Sequence, residues 1–405
     1  MRADALHPPG ENGRAASAVD SRMTDLEPTE SAPLRAEIDL GAVRHNVRTL
    51  ARMADPARPL GVVKADAYGH GAVRVARALV EEGVRHLAVA TVGEGAELRE
   101  AGVEVPILVF AAPLREQIPA YARLGLAVTV SSAEVARHVA EAARTHGPIA
   151  AHLKVDTGMH RLGVRPEDTR ETVRALREAP GVSLDAIWTH LATADGDLAF
   201  AHRQLDAFDA LADSLGDLAP PLYHVANGPM LVRMGERAAR PGTLVRLGGV
   251  LYGLASSREL WPSVEAAGLQ PAMRLVSRVV HLQAVAAGES VSYGRTWTAP
   301  GDRRIATIAA GYADGLPRAL SNTGRVGIGG ATYPIAGRVC MDMILVDLGP
   351  PGGRGGDVRI GDEAVLFGRG GPAILDQSEA ARTMPYELTC ALGSRVQRTY
   401  ADSRG

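Results

Sequence analysis

Two lysines stand out because the chain uses arginine almost everywhere else that it needs a positive charge. Lys64 and Lys154 are the only lysines among the 44 Lys and Arg residues of this 405-residue chain. A lysine can lose its proton and attack a carbonyl carbon to form a Schiff base, whereas arginine stays protonated and does neither. Composition alone leaves open whether the two lysines do chemistry or remain by chance, so their neighbours must decide.

Each lysine lies in a segment that combines apolar residues with glycine and polar residues. Lys64 belongs to G-V-V-K-A-D-A-Y-G-H-G (61–71), and Lys154 belongs to H-L-K-V-D-T-G-M-H-R-L-G (152–163). A lysine against apolar strand walls is partly desolvated, which favours its neutral, nucleophilic form. Tyr68 and the glycines after it could let a phosphate approach hydroxyl and backbone N–H groups. The alternative is that Lys64 extends into solvent at the end of a strand and that Gly69 and Gly71 only form a turn.

The elements that position these residues follow a repeating pattern from about residue 59. Short apolar segments, many rich in β-branched residues, alternate with helical patterns whose apolar residues recur every three or four positions. The predicted strands are 59–64, 86–90, 106–110, 126–130, 150–156, 183–190, 222–226 and 243–248. Eight strand–helix units in roughly 200 residues predict an α/β fold, a (β/α)8 barrel of the TIM type. A doubly wound sheet is the alternative, although no G-x-G-x-x-G turn follows the first strand.

Five polar residues fall at or near the carboxyl ends of the predicted strands. They are Lys64, Lys154, His190, Asn227 and Arg246. Barrel enzymes build their active sites at this face, because the strand ends converge there. The pattern therefore predicts that these side chains meet at the mouth of the barrel.

The character of the chain changes after about residue 267. Short strand patterns separated by Gly, Pro and Asp turns predict a second, mostly β domain. We therefore expect a disordered tail over residues 1–33, a barrel over 34–266 and a β-rich C-terminal domain over 267–405. The tail lacks the apolar core of a signal peptide and is rich in Pro, Gly, Ala and charge.

Charge and hydropathy exclude several classes of function. The formal net charge is −2, and no basic run interleaved with aromatic residues indicates a nucleic-acid partner. Charged residues, Gly or Pro interrupt every apolar run before it reaches membrane-spanning length. The two cysteines, Cys340 and Cys390, make no disulfide framework, which fits a reducing cytoplasm. We also predict no metal site.

Taken together in chain order, the motifs of this sequence resemble the alanine racemase family. The likeness starts with the Lys64 segment and spans about residues 36 to 390. The other segments are A-E-I-D-L-G-A-V-R-H-N (36–46), K-V-D-T-G-M-H-R-L-G (154–163), T-H-L-A-T-A-D (189–195), H-V-A-N-G (224–228), V-R-L-G-G-V-L-Y-G (245–253), V-S-Y-G-R-T-W (291–297), A-G-Y-A-D-G (310–315), G-R-V-C-M-D (337–342) and M-P-Y-E-L (384–388). So many matches in order make chance negligible, and the family fold is a barrel followed by a β domain.

The resemblance implies interconversion of L- and D-alanine with pyridoxal 5'-phosphate, which supplies D-alanine for peptidoglycan. Lys64 would hold the cofactor covalently and act as the base for the D-isomer. Tyr293 would act on the opposite face for the L-isomer. Racemisation needs two such groups, because one removes a proton from one side and the other supplies one from the other side. A tyrosine with a pKa near ~10 is a poor base at neutral pH, so a nearby cation must lower that pKa.

The resemblance also assigns residues around the cofactor ring and the substrate. Arg246 matches the residue that faces the pyridine nitrogen, and His190 matches the histidine that supports it. Because arginine keeps its proton, the ring nitrogen should stay unprotonated. Arg161 matches the arginine near the cofactor's phenolic oxygen and the substrate carboxylate. Lys154 matches a lysine that is carbamylated in some members; its alternative role is an ion pair with Asp156.

For the cofactor phosphate, the matched positions combine hydroxyl groups with backbone N–H groups. They are Tyr68, Tyr386, Gly248, Gly249 and the segment Asn227–Gly228. After this asparagine the family usually has a serine whose hydroxyl binds phosphate, and this chain has a glycine instead. A backbone N–H at the start of the following helix could replace that hydroxyl.

A further group of matched residues reaches the active site from a second subunit in the family. It comprises Tyr293, Tyr312, Cys340, Met341 and Asp342. The Met341 backbone N–H would meet the substrate carboxylate, and Cys340 is expected to be a packed or substrate-lining thiol. The resemblance therefore implies a head-to-tail homodimer with shared active sites.

Three other functions stay open at this point. One is a racemase of the same fold for serine or a larger amino acid, which bulky Tyr312 and Tyr386 disfavour. The second is a non-catalytic protein that only carries the cofactor; such single-barrel proteins lack the base on the opposite face. The third is a decarboxylase of the same fold, which Arg246 disfavours because it stands where an acidic partner would be expected.

Overall fold

Parallel strands form a nearly closed barrel in the first part of the chain, which confirms the predicted architecture. The computed structural model describes residues 33–402, so the predicted tail lies, apart from its last residue, outside the described residues. The strands up to residue 247 are β1 (Arg35–Asp39), β2 (Arg58–Val62), β3 (His86–Val89), β4 (Ile107–Val109), β5 (Leu126–Val130), β6 (Ile149–Lys154), β7 (Val182–Trp188), β8 (Leu222–His224) and β9 (Leu244–Leu247).

The barrel strands pair in chain order, and the last strand pairs with the first. Strands β2 to β8 pair in chain order, and β9 pairs with β2 on the other edge. A parallel bridge between Tyr223 and Thr243 brings β8 back to β9. All eight predicted strands are therefore present, each within a few residues of its predicted position.

Helices cover the outside of the barrel, and side-chain caps fix where several of them begin. Asp39, Thr91, Ser132, Asp197 and Asn227 each accept a backbone N–H of the first turn that follows. The helices are α1 (Leu40–Ala54), α2 (Lys64–Tyr68), α3 (Ala72–Glu81), α4 (Val92–Glu100), α5 (Ile118–Leu124), α6 (Ala133–His146), α7 (Thr169–Glu178), α8 (Leu198–Leu215), α9 (Gly228–Ala238) and α10 (Trp261–Ala266). Among residues 33–402, every helix is too short or too polar to cross a lipid bilayer.

Burial explains why the barrel strands show no alternation of apolar and polar residues. Every residue of β5 is buried, since one face meets the helices and the other lies inside the barrel. Inside, an apolar layer contains Leu60, Val62, Leu108 and Leu244. Fully burying one such side chain stabilises a fold by about 1.5–3 kcal/mol.

The second part of the chain folds into a mostly antiparallel β domain, as the turn-rich sequence predicts. Its elements are β10 (Met273–Val285), β11 (Ser290–Val291), β12 (Trp297–Thr298), β13 (Arg303–Ile308), β14 (Arg325–Ile328), β15 (Ala331–Pro334), β16 (Ile344–Asp347), β17 (Glu363–Phe367), α11 (Ile374–Ala380), α12 (Pro385–Cys390) and β18 (Gln397–Ala401). The long strand β10 is central, because it pairs with β1, β13 and β17.

Strand β1 belongs to this second sheet, although its residues fall within the range 34–266 predicted for the barrel. It pairs antiparallel with β10 and parallel with β18. Its buried residues Ala36 and Ile38 alternate with partly exposed ones and join the core of the β domain. Chain order alone could not assign this strand, because both sheets bury apolar residues. The boundary between residues 266 and 267 stays a prediction.

A buried asparagine ties helix α1 to the segment that leaves the barrel. Asn46 is fully buried, and its Nδ2 donates to the Leu251 carbonyl (3.0 Å) and to the Gln270 carbonyl (2.7 Å). Its Oδ1 accepts the Gln270 N–H at 2.8 Å. The one side chain thus satisfies three backbone groups that would otherwise be buried without partners.

We expect Asn46→Ala to lower the free energy of unfolding by about 3 kcal/mol, since it leaves these backbone groups unpaired. Urea denaturation, monitored by circular dichroism, measures the change in the free energy of unfolding. The exposed Arg52→Ala on the same helix is the control, because within residues 33–402 its side chain bonds to Arg48 and Thr49 of that helix alone, and it should change the value by less than about 0.5 kcal/mol. Equal stability of Asn46→Ala and the wild type would contradict this role.

Candidate active site

The chain turns sharply directly after Lys64, at the carboxyl end of β2. Ala65, Asp66, Ala67 and Tyr68 all have φ between 52° and 54°, so helix α2 is a single left-handed turn. Such a conformation costs about 1–2 kcal/mol per residue that carries a Cβ. Polar contacts hold it: the Ala65 N–H donates to Glu94 Oε1 (2.7 Å), and Asp66 Oδ1 accepts the Ala72 N–H (2.7 Å). Strain of this kind persists only where the surroundings fix it, and it is typical of active sites.

Burial and positive neighbours favour the neutral form of Lys64. The side chain is half-buried, and burial lowers its pKa, with the charge of Arg161 adding to the effect. Glu94 acts in the opposite direction. A lysine with a lowered pKa is a better nucleophile and a better base near neutral pH.

A buried guanidinium lies inside the barrel at the end of β9. Arg246 is 3% exposed, and its Nη1 donates to the His224 carbonyl (2.5 Å), while its Nη2 donates to the Val225 carbonyl (3.0 Å). Nη1 and Nη2 also contact His224 Nδ1 (3.2 Å) and His190 Nδ1 (3.1 Å). Burial lowers the pKa of Arg246 to about 9, which leaves it charged at neutral pH.

These contacts fix the protonation of the neighbouring histidines. Because Arg246 can only donate, the Nδ1 atoms of His190 and His224 accept and their protons lie on Nε2. His224 Nε2 then donates to His152 Nδ1 at 3.0 Å. Burial, together with the charge of Arg246 for His190 and His224, lowers the pKa of all three imidazoles, to about 3 for His152. The interior therefore holds a chain of neutral imidazoles that ends on one cation.

Lys154 lies in the same interior, where none of the described carboxylates forms an ion pair with it. It is 2% exposed, and its Nζ lies 4.5 Å from the ring centroid of Trp188. Burial and the charges of Arg246 and Arg161 lower its pKa to about 7. Asp156 accepts instead from the Gly158 N–H, the His160 N–H and His160 Nδ1. Asp156 therefore makes no direct ion pair with Lys154, although its charge acts to raise the lysine's pKa.

Arg161 follows β6 on the loop after Lys154 and is exposed in the single chain. Its charge acts on Lys64, Lys154, His190 and Arg246, whose pKa values it helps to lower. The predicted substrate arginine thus lies at the same mouth of the barrel as the predicted cofactor lysine.

Two tyrosines and two glycines form a cradle beside Lys64. A Cβ built on Gly248 would lie 2.6 Å from Tyr68 Oη, and one built on Gly249 would overlap the Tyr386 ring. The two phenol rings meet edge to face, with centroids 5.5 Å apart. Burial raises the pKa of both phenols, so both stay protonated and can donate. The absence of side chains on the two glycines lets phenol and backbone donors approach one another.

The first turn of α9 borders the same region. Asn227 caps the helix, because its Oδ1 accepts the Met230 N–H at 2.9 Å. A bridge to Arg246 aligns the Asn227 backbone with β9. Gly228 is the first residue of the helix and is buried.

A second group of predicted residues gathers on the β domain. One pocket of about 700 Å³ lies here, and its lining residues are Tyr293, Tyr312, Arg318, Val339, Met341 and Asp342. Tyr293, Tyr312 and Met341 are 70%, 42% and 52% exposed, which is unusual for such large apolar side chains. Within residues 33–402, no hydrogen bond or ring contact joins Tyr293 to the barrel mouth. One chain therefore presents the two predicted bases on separate surfaces.

The backbone around Tyr293 is strained. Ser292 has φ 65° and ψ 177°, a region that is essentially restricted to glycine, and Arg295 has φ 51°. Ser292 Oγ donates to the Arg338 carbonyl at 2.7 Å and lies 3.5 Å from Cys340 Sγ. Cys340 is half-buried and free. The hydrogen bond from Ser292 to Arg338 thus helps to hold the strained backbone beside Tyr293.

Sequence reasoning missed three residues that shape the site. Glu94 holds the turn after Lys64, His224 holds Arg246, and Trp188 lies beneath both Lys154 and Arg246. His224 and Trp188 could have been found because successive side chains of a strand point to opposite faces, which places each of them inside the barrel with Arg246. Glu94 gives no local signal, because it follows the next strand along the chain and acts only through the fold.

Comparison with known proteins identifies two family domains in this chain. The model described as "Alanine racemase, N-terminal domain" matches residues 38–256, and that described as "Alanine racemase, C-terminal domain" matches residues 272–400. The two matches cover most of the barrel and most of the β domain.

Individual relatives match over nearly their whole length. An alanine racemase of Chlorobaculum tepidum is 41% identical over 372 residues, which is 90% of this chain and 94% of that protein. One of Halothermothrix orenii is 38% identical, over 92% of this chain and 98% of that protein. The structure of alanine racemase from a D-cycloserine-producing Streptomyces lavendulae superposes with a TM-score of 0.83 at 37% identity, covering 92% of this chain and 98% of that one. The matched motifs, the two family domains and the shared architecture agree: this chain belongs to the alanine racemase family.

Proposed function

We propose that this protein interconverts L-alanine and D-alanine with pyridoxal 5'-phosphate bound at Lys64, and so supplies D-alanine for peptidoglycan. The observation that carries the proposal is the half-buried Lys64, whose lowered pKa favours an imine, beside a cradle of phenol and glycine groups. The relatives named as alanine racemases support the same reaction.

The residues at the barrel mouth fit each part of this cofactor. Lys64 suits the aldehyde, the cradle of Tyr68, Tyr386, Gly248 and Gly249 suits the phosphate, and Arg246 suits the ring nitrogen. When bound, the cofactor stabilises negative charge on the substrate's α-carbon. The protein must then hold the substrate, move protons and keep competing reactions low.

Arg246 helps to keep competing reactions low. Its guanidinium keeps its proton and is fixed by two carbonyls and two histidines, so it offers a donor to the ring nitrogen and no proton. With the cofactor bound, Arg246 would leave that nitrogen unprotonated, so charge on the α-carbon would be spread less widely. This arrangement favours rapid return of a proton over slower side reactions such as transamination.

Two bases on opposite faces explain racemisation. Lys64 takes or returns the α-proton on the face of the D-isomer, and the Tyr293 phenol does so on the face of the L-isomer. Arg161 offers a fork of N–H donors to the substrate carboxylate, which orients the α-carbon between them. The Met341 backbone N–H is the second proposed carboxylate contact.

The separation of the two bases supports a homodimer with shared sites. Tyr293, Tyr312 and Met341 are exposed together on the β domain, while Lys64 opens at the barrel mouth. A second copy placed head to tail brings one chain's tyrosines over the other chain's lysine and covers both surfaces. The bulk of Tyr312 and Tyr386 leaves room for a small side chain, which favours alanine over serine or larger amino acids.

With added pyridoxal phosphate, the wild type should convert L-alanine into D-alanine, as measured by chiral chromatography, and L-serine should react more slowly. Lys64→Ala should lose the near-visible absorbance of lysine-bound cofactor and about 10³-fold or more of the racemisation rate. Lys64→Arg keeps the charge but cannot form an imine, so it should fail in the same way. Full activity in either variant would rule out the mechanism.

Tyr293→Phe should slow α-hydrogen exchange of L-alanine in deuterated water by about 10²–10⁴-fold, since it removes the base on that face. Exchange of D-alanine, which uses Lys64, should fall far less. Nuclear magnetic resonance of the two isomers measures both rates. An equal loss for both isomers contradicts the assignment of faces.

Mixing the two inactive variants tests whether each site draws on two chains. In a mixed dimer of Lys64→Ala and Tyr293→Phe chains, one shared site carries both substitutions and the other carries neither. Activity should therefore return on mixing. If both bases came from one chain, every site would keep a defect and the mixture would stay inactive.

We also propose that Lys154 is carbamylated. Its pKa of about 7 leaves much of the amine neutral and able to add to CO₂, with release of one proton. The resulting anion would be stabilised by the charges of Arg246 and Arg161. With ¹³C-bicarbonate, the protein should show a carbamate carbon resonance that Lys154→Met lacks. A spectrum identical in the two proteins would exclude the modification at this position.

A further inference from the structure

Two loops of the β domain carry exposed residues that the proposed function assigns to the partner chain's site. Tyr312 lies on loop 311–315 and Met341 lies on loop 340–342, and both side chains line the same pocket. Exposed side chains have few buried contacts to hold them, so their position depends on how the backbone of each loop is fixed. The site can therefore keep its shape only if the two loops are held together.

Backbone hydrogen bonds join the two loops directly. The Tyr312 N–H donates to the Cys340 carbonyl at 3.0 Å. The Ala313 N–H donates to the Met341 carbonyl at 3.0 Å. A Cβ built on Gly311 would overlap the Met341 carbonyl, so this close approach needs a glycine. Because the peptide unit is planar and trans, the bonded Cys340 carbonyl also fixes the direction of the Met341 N–H, which points the opposite way.

A single guanidinium spans both loops from a third segment of the chain, which follows α12. Arg395 Nε lies 3.1 Å from Asp314 Oδ1 on the first loop. Arg395 Nη2 donates to Asp342 Oδ1 on the second loop at 2.8 Å. The Gly393 N–H also donates to the Asp314 carbonyl (3.2 Å), which ties the segment of Arg395 to the first loop. Arg395 therefore links the loops of Tyr312 and Met341 through one carboxylate of each.

The two carboxylates differ in burial, and this difference decides what the loss of Arg395 would do. Asp314 is buried, and its second oxygen, Oδ2, accepts the Gly311 N–H at 2.8 Å. Asp342 is exposed and lines the pocket with Tyr312. Without Arg395, Asp314 would keep a backbone partner. Asp342 would lose its ion pair and leave an uncompensated negative charge beside the pocket.

We propose that Arg395 is a positioning residue for the substrate carboxylate in the partner chain's site. By pairing with one carboxylate of each loop, it holds the Met341 N–H and the Tyr312 side chain in place, and it neutralises Asp342 beside the pocket. Arg395 itself contacts neither the substrate nor the cofactor. This inference rests on the proposed function and on its head-to-tail dimer.

Arg395→Ala should raise KM for alanine about 10-fold and lower kcat less than about twofold, because the Met341 N–H holds the carboxylate equally before and during proton transfer. Arg258→Ala is the matched control, since Arg258 is similarly exposed and also pairs with two carboxylates, those of Asp376 and Glu379. Its KM should stay within about twofold of the wild type. Exposed ion pairs add little stability, so both variants should melt within about 3 °C of the wild type. An unchanged KM in Arg395→Ala, or a loss confined to kcat, overturns the inference.

The placement of the substitution in a mixed dimer separates positioning from a general loss of structure. In the active site that Lys64→Ala and Tyr293→Phe chains share, the barrel mouth belongs to the Tyr293→Phe chain and the two loops belong to the Lys64→Ala chain. Arg395→Ala added to the Lys64→Ala chain should therefore raise the KM of the mixture about 10-fold. The same substitution added to the Tyr293→Phe chain should change KM less than about twofold. Equal effects of the two placements overturn the inference.

Propionate keeps the carboxylate of alanine and lacks its amine, so it gives a measurement without turnover. Its binding to the cofactor-loaded protein, followed by fluorescence quenching, should weaken about 10-fold in Arg395→Ala and stay unchanged in Arg258→Ala. Binding that is equal or absent in the wild type and both variants overturns the inference. If Arg395→Ala does not fold, Arg395→Gln replaces it in each measurement, because it keeps part of the stem but cannot pair with two carboxylates.

The same mixtures distinguish failure of this inference from failure of the proposed function. If Lys64→Ala and Tyr293→Phe chains with Arg395 intact regain no activity on mixing, the shared site itself fails and this inference falls with it. Equal effects of the two placements of Arg395→Ala in an active mixture overturn this inference alone.

Discussion

The burial of one positive charge, the Arg246 guanidinium, governs the electrostatics of the barrel interior. Removing a charge from water costs several kcal/mol unless hydrogen bonds replace the lost hydration. Two carbonyls and two imidazoles provide that replacement here. Burial is the main cause that lowers the pKa of His190, His224 and Lys154, and the charge of Arg246 adds to this effect in each case. Burial and this one costly ion therefore act in the same direction on His190, His224 and Lys154.

The same interior departs from an ordinary barrel core. Barrel interiors are usually filled by layers of branched apolar side chains, and part of this one is. Toward the carboxyl ends of β6 to β9, however, His152, Lys154, Trp188, His224 and Arg246 replace that filling. The apolar layer lies below these polar side chains, and the strained turn after Lys64 borders the site. The apolar layer therefore stabilises the barrel, and the polar layer next to it forms the candidate site.

Much of this organisation could be predicted from the sequence. All eight barrel strands were found, because buried parallel strands give continuous apolar runs that are easily recognised. The placement of Lys64, His190 and Arg246 at one mouth followed from strand ends. Strand β1 was not assigned to the second sheet, because its partners β10 and β18 are more than 200 residues away along the chain. Glu94 was missed for a similar reason, since its contact with the Ala65 N–H exists only when α2 and α4 are adjacent.

By itself, the sequence determined the fold class, the family and the identity of the residues able to do chemistry, because residue type and spacing encode periodicity and reactive groups directly. Only the tertiary structure decided which of those residues are neutral, since pKa values depend on burial and on charges from distant segments. It alone showed Asp156 hydrogen-bonded to Gly158 and His160, Val250 filling the space beside Gly228, and Tyr293 on a surface apart from Lys64. These facts depend on distances between atoms that are far apart in the chain, which no local pattern records.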